Sequence, residues 1–243
     1  MYNGVYNLKA FYNTKPGRLV RRLLVNHVVA MWPDLKDRRL MGYGYAVPYL
    51  RPLRAGTERT VAMMPSNLGV HFWPTDEKGL VFLGAEDEWP IETESIDRLI
   101  IVHSMEQAHS PDVLLQEAWR VLKSNGRLIL IVPNRMGLWA RAEWTPFGHG
   151  TPYTSGQINQ YLRDQLFVHE RTERALFMPP FKSFFMLRAL YAFENIGRAI
   201  FPGLAGIYLV EASKQLYAGA ARTKTKAARM QGRRVAVSAI PTS

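Results

Sequence analysis

The chain has 243 residues, of which 47% are hydrophobic, enough for one domain with a sizeable core. It has no cysteine, which excludes a disulfide scaffold, a thiolate nucleophile and a Cys-ligated metal. The net charge of +11 is uneven: Arg222, Lys224, Lys226, Arg229, Arg233 and Arg234 lie in the last stretch with no acid among them, which leaves +5 on the body.

No window approaches the roughly 18 uninterrupted apolar residues of a spanning helix. The opening residues show no apolar core ahead of a small-residue cleavage site, so the expected compartment is the cytoplasm. A helix is expected over 16–31, announced by Thr14 as cap and Pro16 in the first turn. Its apolar stripe would be Leu19, Val20, Leu23, Leu24, Val28 and Ala30, with Arg18, Arg21 and Arg22 facing away. Short apolar runs then recur at 39–41, 60–64, 79–83, 97–103 and 127–132. The last two read as buried strands joined by a helix that Ser110 caps, that runs to Lys123, and that Asn125 and Gly126 stop. Strand, helix, strand with continuous apolar strands implies a right-handed parallel crossover.

Further on, Ser155 is expected to cap a helix through Gln165, with an extended segment over 167–177. An aromatic, moderately basic helix is expected over 182–200, and a closing strand over 206–216 that adds an antiparallel member near the sheet edge.

The run GYGYA (42–46) places three small residues directly after an apolar strand, where a bare backbone suits a nucleotide-like ligand at a strand-to-helix turn. A plain tight turn is the alternative. Together with GAEDEWPIETESID (84–97), VHSMEQAHSPDVLLQEAWRVLKSNGRLILIVPN (102–134) and GIYLVEASKQ (206–215), this turn resembles the class I S-adenosylmethionine-dependent methyltransferases, in particular their type 11 small-molecule branch. The turn, with the later TPFGHG loop, also resembles a divergent bacterial subgroup. The resemblance covers about 38–133 and, more loosely, the closing strand.

It implies an α/β fold: a Rossmann-like, mostly parallel sheet with helices on both faces and an antiparallel late strand. It also implies one domain over 1–218, made of a helix at 16–31, a cofactor-binding half at 38–133 and a substrate-loop and closing half at 134–218. The remainder, 219–243, reads as a basic, disordered tail.

For S-adenosylmethionine, the resemblance places Gly42, Gly44 and Ala46 at the methionine end of the cofactor, flanked by Tyr43, Tyr45 and Met64. Glu86 and Asp87 would serve the adenine and Trp89 its face, while Val102, His103 and Ser104 would line the transfer site. Two acids usual in the family are missing, since Leu40 stands two residues before the first glycine and Met63, Met64 and Pro65 end the second strand. His149 and His103 are the candidate bases, because an imidazole titrates near working pH. Each also has a structural reading, as do Glu106 and His109. The loop 133–153, rich in Trp139, Trp144 and Phe147, is expected either to face substrate or to pack on its own domain. His27, His71 and His169 lack ligand spacing, so no metal site is expected.

The function these residues suggest is transfer of a methyl group to a small-molecule acceptor. The alternative is a methyltransferase-like binding module without catalysis, for which the turn would be filled by Tyr43, Tyr45 or Met64 instead of opening on a cleft. Contact with a membrane surface or a protein through the tail and the aromatic helix is a further partner reading. Nucleic acid ranks below these, because most of the excess charge sits in the tail.

Overall fold

The computed structural model describes residues 4–75, 78–180, 194, 197, 199 and 202–215. Two helices open the chain, α1 (Val5–Asn13) and α2 (Lys15–Met31). Thr14 joins them, its hydroxyl accepting the Gly17 amide at 3.0 Å, with proline in the first turn as expected. A side chain at position 17 would run into the Phe11 carbonyl, so glycine lets the two helices meet closely. α2 buries Val20, Leu23, Leu24 and Val28. Ala30, expected in that stripe, is exposed, because two residues past Val28 is about 200° around the helix. The sequence reading assigned no helix to α1, although Val5, Leu8, Phe11 and Tyr12 form its buried face.

The chain continues through β1 (Arg39–Gly44), α3 (Val47–Leu53), β2 (Arg59–Pro65), β3 (Val81–Gly84) and β4 (Ile96–Val102). It ends with α4 (Pro111–Val121), β5 (Leu122–Pro133), α5 (Ser155–Asp164), β6 (Phe167–Ala175) and β7 (Ile207–Lys214). The strands form one sheet in the order β3-β2-β1-β4-β5-β7-β6. β1 to β5 pair in parallel, and β7 runs antiparallel to both β5 and β6, so one reversed strand lies next to the edge as expected.

Alternation along the strands divides the core in two. Leu40, Ala62, Ile100 and Ile129 face α1, α2 and α3, whereas Met41, Leu99, Leu128 and Leu130 face α4 and α5. Leu99 to Val102 are fully buried, and each such side chain contributes about 1.5–3 kcal/mol relative to exposure. This double-sided burial is why the central strands read as unbroken apolar runs.

Three expected boundaries are corrected. α4 ends at Val121 instead of running to Lys123, because the amides of Glu94 and Ser95 take the carbonyls of Arg120 and Val121. Leu122 then pairs with Ile96, Lys123 turns to Asp97 at 2.9 Å, and Asn125 takes a positive φ inside an irregular stretch of β5. Ser110 stands at the cap of α4, but its side chain makes no capping bond. The cap of α5 is Thr154, one residue before the expected Ser155, in a reciprocal capping box with Gln157. The expected helix over 182–200, apart from isolated positions, and the tail over 219–243 lie outside the described residues.

Candidate active site

In parallel α/β sheets, ligands bind beyond the carboxyl ends of the strands where the strand order reverses. Here that point lies between β1 and β4, and GYGYA occupies it. Gly44 pairs with Val102, and the Tyr45 amide donates to the Val102 carbonyl at 2.9 Å. Gly44 has φ 77, and a Cβ there would collide with Ser104 Oγ and the Val102 carbonyl. At Gly42 a Cβ would lie 2.6 Å from Ala46 Cβ and 2.7 Å from Leu50 Cδ1. The glycines therefore let α3 and β4 close tightly around the turn, and the amide of Tyr45 is already committed to that packing.

Side chains from the protein fill the space around the turn. Tyr43 stacks on Trp89 with ring centroids 4.5 Å apart, and Tyr45 stacks on Tyr12 of α1 at 5.5 Å. Met64 is fully buried in the α1–α3 core. Burial pushes the Tyr45 phenol up to about 12 and also raises that of Tyr43, so both stay neutral. Trp89 thus covers Tyr43, with its amide on Glu117 and its indole N–H donated to the Glu86 carbonyl at 3.1 Å. The Glu86 carboxylate accepts the amides of Ser110 and His109 at 3.2 and 3.4 Å, doing the work expected of Ser110 at the start of α4. Asp87 is exposed.

His103 is buried at the end of β4, with a left-handed φ of 53 that costs about 1–3 kcal/mol in a residue other than glycine. Its Nε2 lies 2.8 Å from the Tyr12 hydroxyl and its Nδ1 3.2 Å from Glu106 Oε1. Tyr12 also meets the Tyr49 hydroxyl at 2.8 Å, giving a buried chain from Tyr49 through Tyr12 and His103 to Glu106. The second Glu106 oxygen, Oε2, has no hydrogen-bond partner among the described residues, nor does buried Gln107 Nε2. Such orphaned polar atoms are rare in native interiors and call for an explanation.

The loop after β5 packs on its own domain. Trp139 and Phe147 are buried, Trp139 donating to the Met178 carbonyl at 2.7 Å and Phe147 lying 4.8 Å from the His103 ring. Trp144 packs partly buried against the same core. The loop thus walls the His103 side of the site. His149 is the outlier among the expected residues: its Nε2 bonds the Glu143 carbonyl at 2.6 Å in an exposed position, and it does not join the His103 chain.

A crevice does remain at the switch point. It is lined by Tyr43, Pro65, Asn67, Glu86, Ser104 and Gln107 together with His103, but its volume is about 10 Å³. That is room for roughly one water, against the 300–1,000 Å³ typical of ligand sites. A larger groove of about 560 Å³ lies under the start of β1, β2 and β3, between Arg59, Phe82 and Ile91. It is at the wrong end of the strands for this site. Among the described residues no His, Asp or Glu cluster is arranged to hold a metal, and no helix is long and apolar enough to cross a membrane.

A sheet ordered 3-2-1-4-5-7-6, with one reversed strand and a glycine turn at the switch point, defines the fold of class I S-adenosylmethionine-dependent methyltransferases. Residues 41–130, from β1 into β5, match the family described as methyltransferase domain. No curated protein matches the sequence. Among solved structures, an S-adenosylmethionine-dependent methyltransferase of Thermotoga maritima superposes with a TM-score of 0.59 at 15% identity, over 88% of this chain and 97% of that one. An S-adenosylmethionine-dependent methyltransferase of Archaeoglobus fulgidus gives 0.55 at 15% identity, over 80% and 94%. The [4+2]-cyclase SpnF gives 0.54 at 18% identity, over 80% of each chain. Likeness at this level is a likeness of fold, and a fold by itself does not fix a reaction.

The cofactor of this family is S-adenosylmethionine. The donor set at the switch point fits it in kind: an unpartnered amide on Gln107, a hydroxyl on Ser104 and an amide on Asn67. It fits in size only once the Tyr43–Trp89 pair or α1 yields, because these fill the space around the crevice.

The sequence reading brought Tyr43, Glu86, His103 and Ser104 to one crevice and missed Tyr12, Asn67 and Gln107. The apolar spacing of Val5, Leu8 and Tyr12 was the signal available for Tyr12. Nothing local marks Gln107.

Proposed function

We propose that the chain transfers a methyl group from S-adenosylmethionine to a small-molecule acceptor at the crevice between β1 and β4. The observation that carries this reading is the buried Gln107 Nε2, without a hydrogen-bond partner among the described residues, in a crevice at the switch point. An unpaired buried donor at the strand ends leaves a place for an acceptor, which a bound ligand can supply.

In this reading Gly42, Gly44 and Ala46 admit the methionine end of the cofactor. Asn67, two residues past the end of β2, supplies the polar contact that the absent second-strand acid would have made. Ser104 and Gln107 hold the remaining polar atoms. When bound, the cofactor supplies an activated methyl group on a positively charged sulfur, so the protein's task is mainly alignment and exclusion of water. His103, which lines the crevice, takes the role of base in preference to His149, which does not line it. Nucleic acid is not proposed as the acceptor, because the excess charge lies mostly at 220–243.

Calorimetric titration with S-adenosylmethionine, paired with thermal melts, tests the reading. Saturation at one hundred times Kd would stabilise the fold by about 2.7 kcal/mol. No heat and no shift in Tm at millimolar cofactor would overturn it.

A second reading, a binding module that has lost catalysis, is favoured by the stacked pairs Tyr43–Trp89 and Tyr12–Tyr45, which fill the turn as that reading requires. The same titration separates the two, since the module stays silent at every cofactor concentration.

A further inference from the structure

β3 is the outer strand of the sheet, and its free side is unprotected. The carbonyls of Leu80 and Gly84 accept from Ala62 and Ser66, in and just past β2. Alternation along a parallel ladder then turns the amides and carbonyls of Val81 and Leu83 outward, where they meet no backbone partner among the described residues. The strand reads VFLG, with no charge, proline or bulge of the kind that keeps an edge from pairing, and Leu83 is 45% exposed. Bare sheet continues beside it. The link from β3 to β4 holds no α-helix, so Val61 and Phe82, on the α4 side, stay half-buried and line the groove of about 560 Å³. Gly79, Leu80 and Val81 line it too, so the groove runs along the β3 edge.

Charge narrows what can cover this edge. Residues 85–95 carry Glu86, Asp87, Glu88, Glu92 and Glu94 and no basic residue. Glu86 holds the amides of His109 and Ser110, and Glu94 meets Lys214 Nζ at 3.0 Å. Asp87, Glu88 and Glu92 are left exposed and outside any ion pair among the described residues. On the strand side Arg39 is neutralised by Glu58 at 2.7 Å, so Arg59 alone offsets these three carboxylates. A basic strand with apolar, β-branched side chains suits such an edge. Lys214 ends β7, so its contact with Glu94 also brings the rest of the chain out next to Ser95 of the groove. Further on the sequence reads RRVAVSAI (233–240), two arginines followed by Val235 and Val237 at strand spacing. The tether from Gln215 to Val235 is about 20 residues, which spans about 25 Å even as a random coil.

We infer that residues 233–240 add a strand to the free edge of β3, with Val235 and Val237 over Val61 and Phe82, and Arg233 and Arg234 against the acidic loop. A tethered segment acts at a local concentration of about 1 mM. An intrinsic Kd of about 0.1 mM would then favour the docked form about 10-fold. The groove lies at the opposite end of the strands from the crevice, so the inference is independent of cofactor binding.

Amide hydrogen exchange on the full chain tests it. Val81 and Leu83 should exchange about 10-fold more slowly than in the double variant Val235→Asp, Val237→Asp. The amides of Leu99 to Val102 in β4, unchanged between the two, report that both are folded. Arg233→Glu combined with Arg234→Glu should weaken the protection, and more so at low salt. Because the chain has no cysteine, spin labels at Lys78→Cys and Ser238→Cys supply a second readout. A docked strand holds them within about 25 Å, since strands rise about 3.3 Å per residue and pair about 5 Å apart. Exchange at Val81 and Leu83 indifferent to both double variants overturns the inference. So does a label distance that disappears on dilution with unlabelled chain, the result expected if a second copy supplies the strand.

Discussion

Gly44 and Gly42 look equivalent in the sequence, but the structure separates them. Gly44 combines a left-handed φ with a Cβ position blocked by the Val102 carbonyl and Ser104, whereas Gly42 faces the side chains of Ala46 and Leu50. Gly44→Ala is therefore expected to destabilise the fold by about 1–3 kcal/mol from backbone strain alone, and by more than Gly42→Ala. Urea denaturation of the two variants checks the order, and equal midpoints would count against a strained turn. The same comparison shows what was legible at this scale. The pattern of small residues was visible as a turn that needs bare backbone, while the neighbours that make Gly44 necessary, Val102 and Ser104, come from the end of β4, some sixty residues on. His103 was visible as a polar residue at a strand end. That its two nitrogens are taken by Tyr12 and Glu106 was not, because one partner is supplied by a helix at the far end of the chain.

Elements are held in place by a few buried polar anchors. Glu211 of β7, almost wholly buried, accepts from Trp32 at 2.8 Å, Arg127 at 2.9 Å and Arg171 at 2.7 Å, tying the end of α2 to three strands' worth of side chains. Burial by itself would raise its carboxyl, but the bonds from Arg127 and Trp32 and the charge of Arg171 prevail and hold it below its usual range. Asp97 of β4 behaves alike: burial opposes ionisation, and Lys123 and the Arg39 amide outweigh it. A carboxyl depressed in the folded state contributes stability that is fully present above its unfolded value and is lost as pH falls through the folded one. Stability should thus be flat near neutrality and decline once pH drops below about 4. Glu211→Gln should flatten that decline, which urea midpoints across pH 3–7 would reveal; an unchanged slope would mean that other carboxyls dominate. Thr154→Ala, which removes the capping box of α5, should cost about 1 kcal/mol. Melting of this variant beside Ser155→Ala distinguishes the two candidate caps, and a larger loss at Ser155 would refute the assignment.

For the molecule as a whole, the closed crevice means that binding and opening are one event. Trp89 sits face to face with Tyr43, which lines the crevice, so displacement of that pair by cofactor should change tryptophan emission in step with the calorimetric signal. Trp89→Phe should abolish the optical change and leave the heat. An emission spectrum insensitive to saturating cofactor would place the opening elsewhere, with α1 as the remaining cover. The size of the ligand-induced shift in Tm is also reduced by whatever opening costs, since a site populated in its open form only a fraction of the time binds more weakly by that fraction.

The sequence alone determined the architecture: apolar runs long enough to be buried on both faces, a helix between two of them and a late strand compel a mostly parallel sheet, because nothing else covers both faces of such strands. It also located the switch point, since glycines after a strand have a local steric meaning. What only tertiary structure decided is the state of that site. Whether a turn is open or filled depends on which side chains arrive from elsewhere, and here Tyr12, Trp89 and Phe147 come from three separate parts of the chain. Periodicity is a local property of sequence, whereas occupancy of a cleft is set by packing among distant residues, and only the folded chain brings those together.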